Sequence, residues 1–235
     1  MSPPGFLTHA AFVLVAVVLP AVAYVQGVRA GANEGAPIER LEPSAKIGTY
    51  WTNSLVLWVL ASLAMLGWTL DGGALAELGL GPRELGGAAW MLALVLVLYA
   101  FDTAFELRSP RARAEARRRW QRDTPFMPAT RREIGHYLVL AVSAGFCEEL
   151  LFRGLVISYL RDWVGAGPPF AVVLPALVFA VGHRYQGWRA VARIALMAGL
   201  FGWFYVATGA LWPLVAVHAL IDVVGGLLGP LLMRG

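Results

Sequence analysis

Residues 134–160 form an apolar stretch long enough to cross a lipid bilayer, yet three charged residues interrupt its middle. Glu148 and Glu149 stand side by side, and Arg153 follows four positions after Glu149. A carboxylate at the bilayer centre costs about 2.5–3.5 kcal/mol even on the scale derived from insertion experiments. Charged residues at this depth face a bundle interior or a water-filled cavity and mark functional sites. The motif therefore predicts a polar functional site within the membrane.

Further apolar stretches predict that the whole chain is an all-α, polytopic transmembrane bundle. Only 14% of the residues are charged and 58% are hydrophobic, whereas soluble domains carry about 25% charged residues. A spanning helix needs about 20 apolar residues. We therefore expect about seven spans, within a range of six to eight, at 6–26, 50–70, 86–104, 134–160, 168–184, 190–208 and 211–232.

The basic residues predict how these spans are oriented. Sixteen of the 19 Lys and Arg residues fall after the first, third and fifth spans or in the C-terminal tail. The opposite side holds only Arg83 and Arg161, and Arg153 lies within a span. Because basic residues concentrate in cytoplasmic loops, we expect the N-terminus outside and the C-terminus in the cytoplasm. This distribution also explains the net charge of +4 without a nucleic-acid partner.

Residue usage gives a weaker indication of the source membrane. Lysine occurs once, as Lys46, against eighteen arginines, and Ala, Gly and Leu are abundant. This bias suggests a GC-rich bacterial genome and hence the bacterial plasma membrane. Membrane lipids are then expected partners, and the Arg-rich stretch 108–132 is interpreted as an ordinary cytoplasmic loop.

Helical spacing separates the roles of the two adjacent glutamates. Glu149 and Arg153 are four residues apart with the acid first, which is the favoured order for a helical ion pair. Glu148 lies about 100° further round the helix, and the residue four positions after it is Phe152. The spacing predicts that Glu149 is paired with Arg153, whereas Glu148 is left available as a general base.

Two histidines in later apolar segments offer groups that could join Glu148. His183 closes the fifth span, and His218 lies in the seventh span, four residues before Asp222 on the same helix face. An Asp at that spacing could fix the tautomer and tilt of His218. Taken alone, a His–Asp pair of this kind often does no more than hold membrane helices together.

If the three helices converge, two kinds of site remain open. One is a metal site with two histidines and one carboxylate, in which Glu148, His183 and His218 bind a divalent metal such as zinc. The other needs no metal: Glu148 acts as general base, and the histidines position water and stabilise an oxyanion.

The ordered set of motifs resembles the CAAX protease and bacteriocin-processing family (CPBP, also called Abi), which includes the type II CAAX prenyl endopeptidases. The resemblance rests on three motifs, each in an apolar helix and about thirty residues from the next, and it covers about 134–232. The motifs are Glu148-Glu149-x-x-x-Arg153, Phe179-x-x-x-His183 and His218-x-x-x-Asp222. The first 130 residues resemble the family only as generic membrane helices.

The resemblance implies an intramembrane endopeptidase whose site is reached from the cytoplasm. It implies a catalytic core at 134–235, with the helices and Arg-rich loop of 1–133 preceding it in one membrane domain. The implied catalytic residues are Glu148, Glu149, His183, His218 and Asp222, and the implied supporting residues are Arg153 and Phe179. The implied substrate is a peptide or protein at the membrane, prenylated or not.

Two other functions remain as alternatives, and one geometric condition must be met. The same polar cluster could serve a non-catalytic immunity or scaffold protein that binds a peptide, or a small proton-coupled transporter. In the expected topology His183 lies about 10 Å from the depth of Glu148, counted at 1.5 Å per residue. A tilted or re-entrant fifth span, or a water-filled cavity, is needed to remove this mismatch.

Overall fold

The chain folds into a bundle of helices. The computed structural model describes residues 3–31 and 41–233, and no β-strand occurs among them. Helix α1 runs without a break through Phe6–Val13, Leu14–Val18 and Leu19–Gly31, and α5 likewise through Arg131–Glu149, Leu150–Ile157 and Ser158–Asp162. The other helices are α2 (Pro43–Leu70), α3 (Ala89–Leu107), α4 (Pro110–Asp123), α6 (Pro168–Gly182), α7 (Trp188–Thr208) and α8 (Trp212–Met233). Short 3₁₀ turns occupy Leu75–Leu78, Gly86–Ala88 and Arg184–Gln186.

Each of the seven predicted spans corresponds to one of these helices, which confirms the all-α membrane bundle. Five helices in the described part of the chain are long and apolar enough to cross a membrane: α1, α2, α3, α7 and α8. Helix α5 is long but carries the charged motif, and α6 is apolar but short. Many large apolar side chains on the outside of the bundle are exposed, including Leu55, Val97 and Leu196. Such a surface suits contact with lipid rather than water.

The long helix α5 passes through the centre of the bundle. All residues from 149 to 160 are buried, and Leu150, Leu155 and Ile157 belong to the main apolar core. Leu150–Ile157 forms wide π-helical turns directly after the glutamate pair. Such turns are rare and often accompany functional sites. Because neighbours surround α5 on all sides, its charged side chains must find their partners inside the protein.

Helix α6 is shorter than a full membrane span and ends just before His183. Its 15 residues give a length of about 22 Å at the α-helical rise, less than the hydrocarbon thickness of about 30 Å. His183 caps the end of α6, and the turn Arg184–Gln186 leads directly into α7. A helix that stops short leaves its last residue below the membrane surface, so His183 can lie closer to Glu148 than a full span would allow.

Most of the basic segments meet at one end of the bundle. Lys46 at the start of α2 bonds Glu133 at the start of α5, with 3.3 Å between Nζ and Oε2. Arg193 near the start of α7 bonds Asp102 near the end of α3, with 2.6 Å between Nη1 and Oδ2. Arg40, Arg234 and the side chain of Arg29, also expected at this end, lie outside the described residues. The orientation of this end relative to the cytoplasm stays a prediction.

Candidate active site

Arg153 and His218 both bind the fully buried carboxylate of Glu149. Oε1 of Glu149 lies 2.9 Å from Nη1 of Arg153, so the ion pair expected from their spacing forms. The same oxygen lies 2.7 Å from Nδ1 of His218, which belongs to α8. A carboxylate accepts hydrogen bonds, so Nδ1 of His218 is the donor. Glu149 therefore neutralises the buried arginine and also links the central helix to α8.

Arg153 extends this link to α6 and α7. Its Nη2 donates to the carbonyl oxygen of Ala198 at 3.3 Å. The central carbon of its guanidinium lies 5.2 Å from the ring centroid of Phe179 and 5.4 Å from that of Phe201. These distances are within the range of a cation–π attraction. Phe179, predicted to support the site, therefore packs between the arginine and the histidines of the site.

His218 is held by Glu149 rather than by Asp222. Its Nε2 lies 3.7 Å from Oδ2 of Asp222 and 3.7 Å from Oε2 of Glu148. Both distances exceed those of a hydrogen bond. The expectation that Asp222 orients His218 is therefore not met in this arrangement. Nδ1 of His218 donates to Glu149, 69 positions away in the sequence. Helical spacing relates only residues on one helix and therefore cannot predict this partner.

Glu148 differs from its neighbour in both exposure and pairing. Its side chain is 19% exposed, whereas that of Glu149 is 0% exposed. No side chain or backbone group of the described residues donates a hydrogen bond to Glu148, and the nearest cationic partner is Nε2 of His218 at 3.7 Å. One of the two adjacent carboxylates thus accepts two hydrogen bonds at Oε1, whereas the other is partly exposed and accepts none from the described residues.

The backbone of α6 fixes the orientation of His183. Nδ1 of His183 lies 2.8 Å from the carbonyl oxygen of Phe179. A carbonyl can only accept, so Nδ1 carries the proton and Nε2 of the neutral imidazole keeps its lone pair. The ring also packs on Phe179, with 4.6 Å between the centroids. His183 and Glu148 make no hydrogen bond to each other, so a water molecule would be needed to connect them.

A single cavity of about 1150 Å³ brings these groups together. Its wall includes Glu148, Glu149, Arg153, His183, His218 and Asp222. Arginines from the basic end of the bundle also line it: Arg119, Arg122, Arg184, Arg189 and Arg193. His183 and Glu148 both line this cavity, so the two side chains face one shared space despite the mismatch in depth expected from the sequence.

The cavity wall includes groups that the sequence analysis did not assign to the site. Arg193 contacts both Asp102 and Glu106, near the end of α3. Tyr185 is half-buried and lies against His183 with 6.0 Å between the ring centroids. Its position two residues after His183 was the one available signal. Burial raises the pKa of Tyr185 to about 12, so this hydroxyl keeps its proton at neutral pH.

The donor groups do not have the arrangement of a metal site. Among the described residues, no group of three or more His, Cys, Asp or Glu side chains is placed to hold a metal ion. Nδ1 of each site histidine donates to Glu149 or to the carbonyl of Phe179, which leaves Nε2 of each as the atom that could bind a metal. Zinc needs ligand atoms about 2.0–2.2 Å away that converge on one point. The proposed ligand set Glu148, His183 and His218 does not fit that requirement here.

Comparison with known proteins finds similarity in the segment that contains the candidate site residues. Residues 130–224 match the family described as type II CAAX prenyl endopeptidase Rce1-like, which supports membership in the CAAX protease family. The uncharacterized protein YpbD of Bacillus subtilis (strain 168) is 30% identical over 97 residues, which cover 40% of this chain and 46% of YpbD. The similarity thus spans about half the length of that relative. No solved structure matches the chain.

Proposed function

We propose that this protein is an intramembrane endopeptidase in which Glu148 activates a water molecule to cleave a peptide bond. The observation that carries the proposal is the contrast between the paired glutamates. Glu149 is neutralised by Arg153 and His218, while Glu148 faces the cavity without a hydrogen-bond donor. The match of residues 130–224 to the Rce1-like family supports the same reaction class.

In the proposed first step, Glu148 takes a proton from a water molecule in the cavity while the water oxygen attacks the carbonyl carbon. His183 assists by accepting a hydrogen bond from the same water at Nε2, since its Nδ1 is held by the carbonyl of Phe179. The electron pair of the carbonyl double bond moves to oxygen and forms a tetrahedral oxyanion. A positioned general base of this kind contributes about 10²–10⁴-fold to the rate.

In the second step, the carbon–nitrogen bond breaks and the amine leaves with the proton that Glu148 had taken. The products are a new carboxyl terminus and a new amino terminus, and no bond forms between the enzyme and the substrate. The positioning residues are Glu149, Arg153 and Phe179, whose contacts fix the relative positions of α5, α6, α7 and α8. His218 and Asp222 complete the wall around the reacting carbonyl.

The proposed substrate is a peptide segment at the membrane, either prenylated near its carboxyl end or unmodified. The cavity of about 1150 Å³ exceeds the usual size of about 300–1,000 Å³ for small-molecule pockets. It could therefore accept several residues of an extended chain. Its arginine-lined side, interpreted as cytoplasmic, would admit a substrate tail from the membrane surface.

The test is mass-spectrometric cleavage of a peptide panel by the purified protein in liposomes. Prenylated and unmodified hydrophobic peptides are each incubated with the wild type, Glu148→Gln and His183→Ala. We expect one defined cleavage that Glu148→Gln abolishes and His183→Ala reduces strongly. If the folded wild type binds peptides but cleaves none, the immunity or scaffold alternative is favoured. If instead it drives flux in response to a pH gradient, the transporter alternative is favoured.

A further inference from the structure

The proposed reaction creates a negative charge on the carbonyl oxygen of the substrate. The oxyanion of the tetrahedral intermediate needs hydrogen-bond donors aimed at it. Asp222 in its ionised form only accepts hydrogen bonds, and Glu148 holds the proton that it took from water. Nε2 of His218 lies 3.7 Å from both carboxylates, beyond hydrogen-bond distance, and can donate when it carries a proton. A second donor in the cavity would add to this stabilisation.

Tyrosine hydroxyls are the neutral donors best suited to this position, and three tyrosines line the cavity. The hydroxyl proton of Tyr99 is already in a hydrogen bond, because it donates to the carbonyl oxygen of Ile221 at 3.2 Å. Tyr137 is packed edge-on against Tyr50, at 5.4 Å between ring centroids, and its ring fills the space beside Gly226. Among the described cavity tyrosines, Tyr185 is the one whose ring packs beside His183.

The neighbours of Tyr185 leave the proton of its hydroxyl free. Nε2 of Gln186 lies 3.0 Å from the phenol oxygen and donates to it. An amide nitrogen cannot accept, so the phenol proton does not point at Gln186. The ring is held between His183, at 6.0 Å, and Phe126, at 5.9 Å between centroids. The hydroxyl thus accepts one hydrogen bond, keeps its own proton, and stands beside the proposed catalytic histidine.

We propose that the hydroxyl of Tyr185 donates a hydrogen bond to the oxyanion of the tetrahedral intermediate, as a further catalytic residue. This inference rests on the proposed peptidase function. The proton stays on the phenol throughout: the hydrogen bond strengthens as the carbonyl oxygen becomes negative and weakens when the carbonyl re-forms. Gln186 acts as a positioning residue, because its amide fixes the phenol oxygen without competing for the proton.

The test compares Tyr185→Phe with the matched variant Tyr205→Phe, which loses a hydroxyl that donates to the carbonyl oxygen of Glu77 outside the cavity. Loss of one oxyanion donor costs about 10²–10³-fold in kcat. We expect a fall of that size for Tyr185→Phe with KM within about threefold of wild type, and nearly unchanged kcat for Tyr205→Phe. A phosphinate peptide, which mimics the tetrahedral oxyanion, should bind Tyr185→Phe at least tenfold more weakly, while the corresponding amide peptide binds it equally.

The outcomes separate this inference from the proposed function. If the wild type cleaves, Glu148→Gln does not, and Tyr185→Phe keeps kcat within threefold, the role of Tyr185 is overturned and the peptidase stands. If Tyr185→Phe weakens phosphinate and amide binding equally, the residue shapes the cavity and donates nothing to the oxyanion. A wild type that cleaves no peptide of the panel overturns both.

Discussion

Nδ1 of His218 donates to Oε1 of Glu149 over 2.7 Å, and this bond joins residues 69 positions apart in the chain. The same carboxylate oxygen also accepts a hydrogen bond from Nη1 of Arg153 at 2.9 Å. One buried carboxylate therefore holds a cation on its own helix and an imidazole on α8. Under the proposed function, Glu149 organises the site and Glu148 is the glutamate that reacts.

Glu149→Gln is expected to destabilise the protein strongly, because it removes the countercharge of buried Arg153. Removing one partner of a buried ion pair costs about 3–5 kcal/mol. The matched control is Glu115→Gln, which breaks a pair of the same spacing with Arg119 at an exposed site. Exposed pairs of this kind contribute at most about 1 kcal/mol. Unfolding in mixed detergent micelles measures both variants, and equal losses of stability would contradict the proposed organising role.

Gly145→Ala is expected to reduce activity by displacing His218. A Cβ at position 145 would lie 2.8 Å from the Cβ of Ala219 and 2.9 Å from its backbone nitrogen. Overpacking costs about 1–3 kcal/mol, and a displacement of about 1 Å in a catalytic group can cost 10²-fold in rate. Gly135→Ala on the same helix meets nothing within 4 Å and should preserve activity. Comparison of kcat for the two variants checks this, and similar kcat values would argue against close α5–α8 packing.

Asp222→Asn is expected to keep activity within about tenfold of wild type. The nearest carboxylate oxygen of Asp222 lies 3.7 Å from Nε2 of His218, while Glu149 binds Nδ1. The asparagine preserves the size of the side chain and removes only a charge beyond hydrogen-bond distance, which is a modest change for the reaction. Steady-state kinetics on one peptide would compare kcat of Asp222→Asn with that of the wild type. A variant as inactive as Glu148→Gln would show that Asp222 has a direct role.

Chelator treatment is expected to leave the cleavage rate within about twofold of the untreated protein. In the part of the chain that the structure describes, no group of three or more His, Cys, Asp or Glu side chains is placed to hold a metal ion. The measurement compares protein dialysed against a strong chelator with the same protein after addition of zinc. Loss of activity on dialysis, with recovery on adding zinc, would support the metal-site alternative.

The features that depend on local spacing could be predicted from the sequence. The predicted apolar segments are helices in the structure, and the ion pair predicted from the four-residue interval between Glu149 and Arg153 is present. The features that depend on how separate helices meet could not. Neither the bond from Glu149 to His218 nor the position of Tyr185 beside His183 follows from helical periodicity, because each depends on tertiary packing. The end of α6 at Gly182 lies within two residues of the predicted end of the fifth span.

The cleavage rate of Glu148→Gln, beside that of Glu84→Gln, tests the account most directly. Glutamine keeps the shape of the side chain but cannot take a proton from water, while Glu84 is exposed and lies outside the cavity. Both variants and the wild type are reconstituted in the same lipid and assayed on one peptide, with folding confirmed by thermal unfolding. We predict that Glu148→Gln loses about 10²–10⁴-fold in kcat and that Glu84→Gln is unchanged. Cleavage by Glu148→Gln within tenfold of the wild-type rate would contradict the assignment of Glu148 as the base.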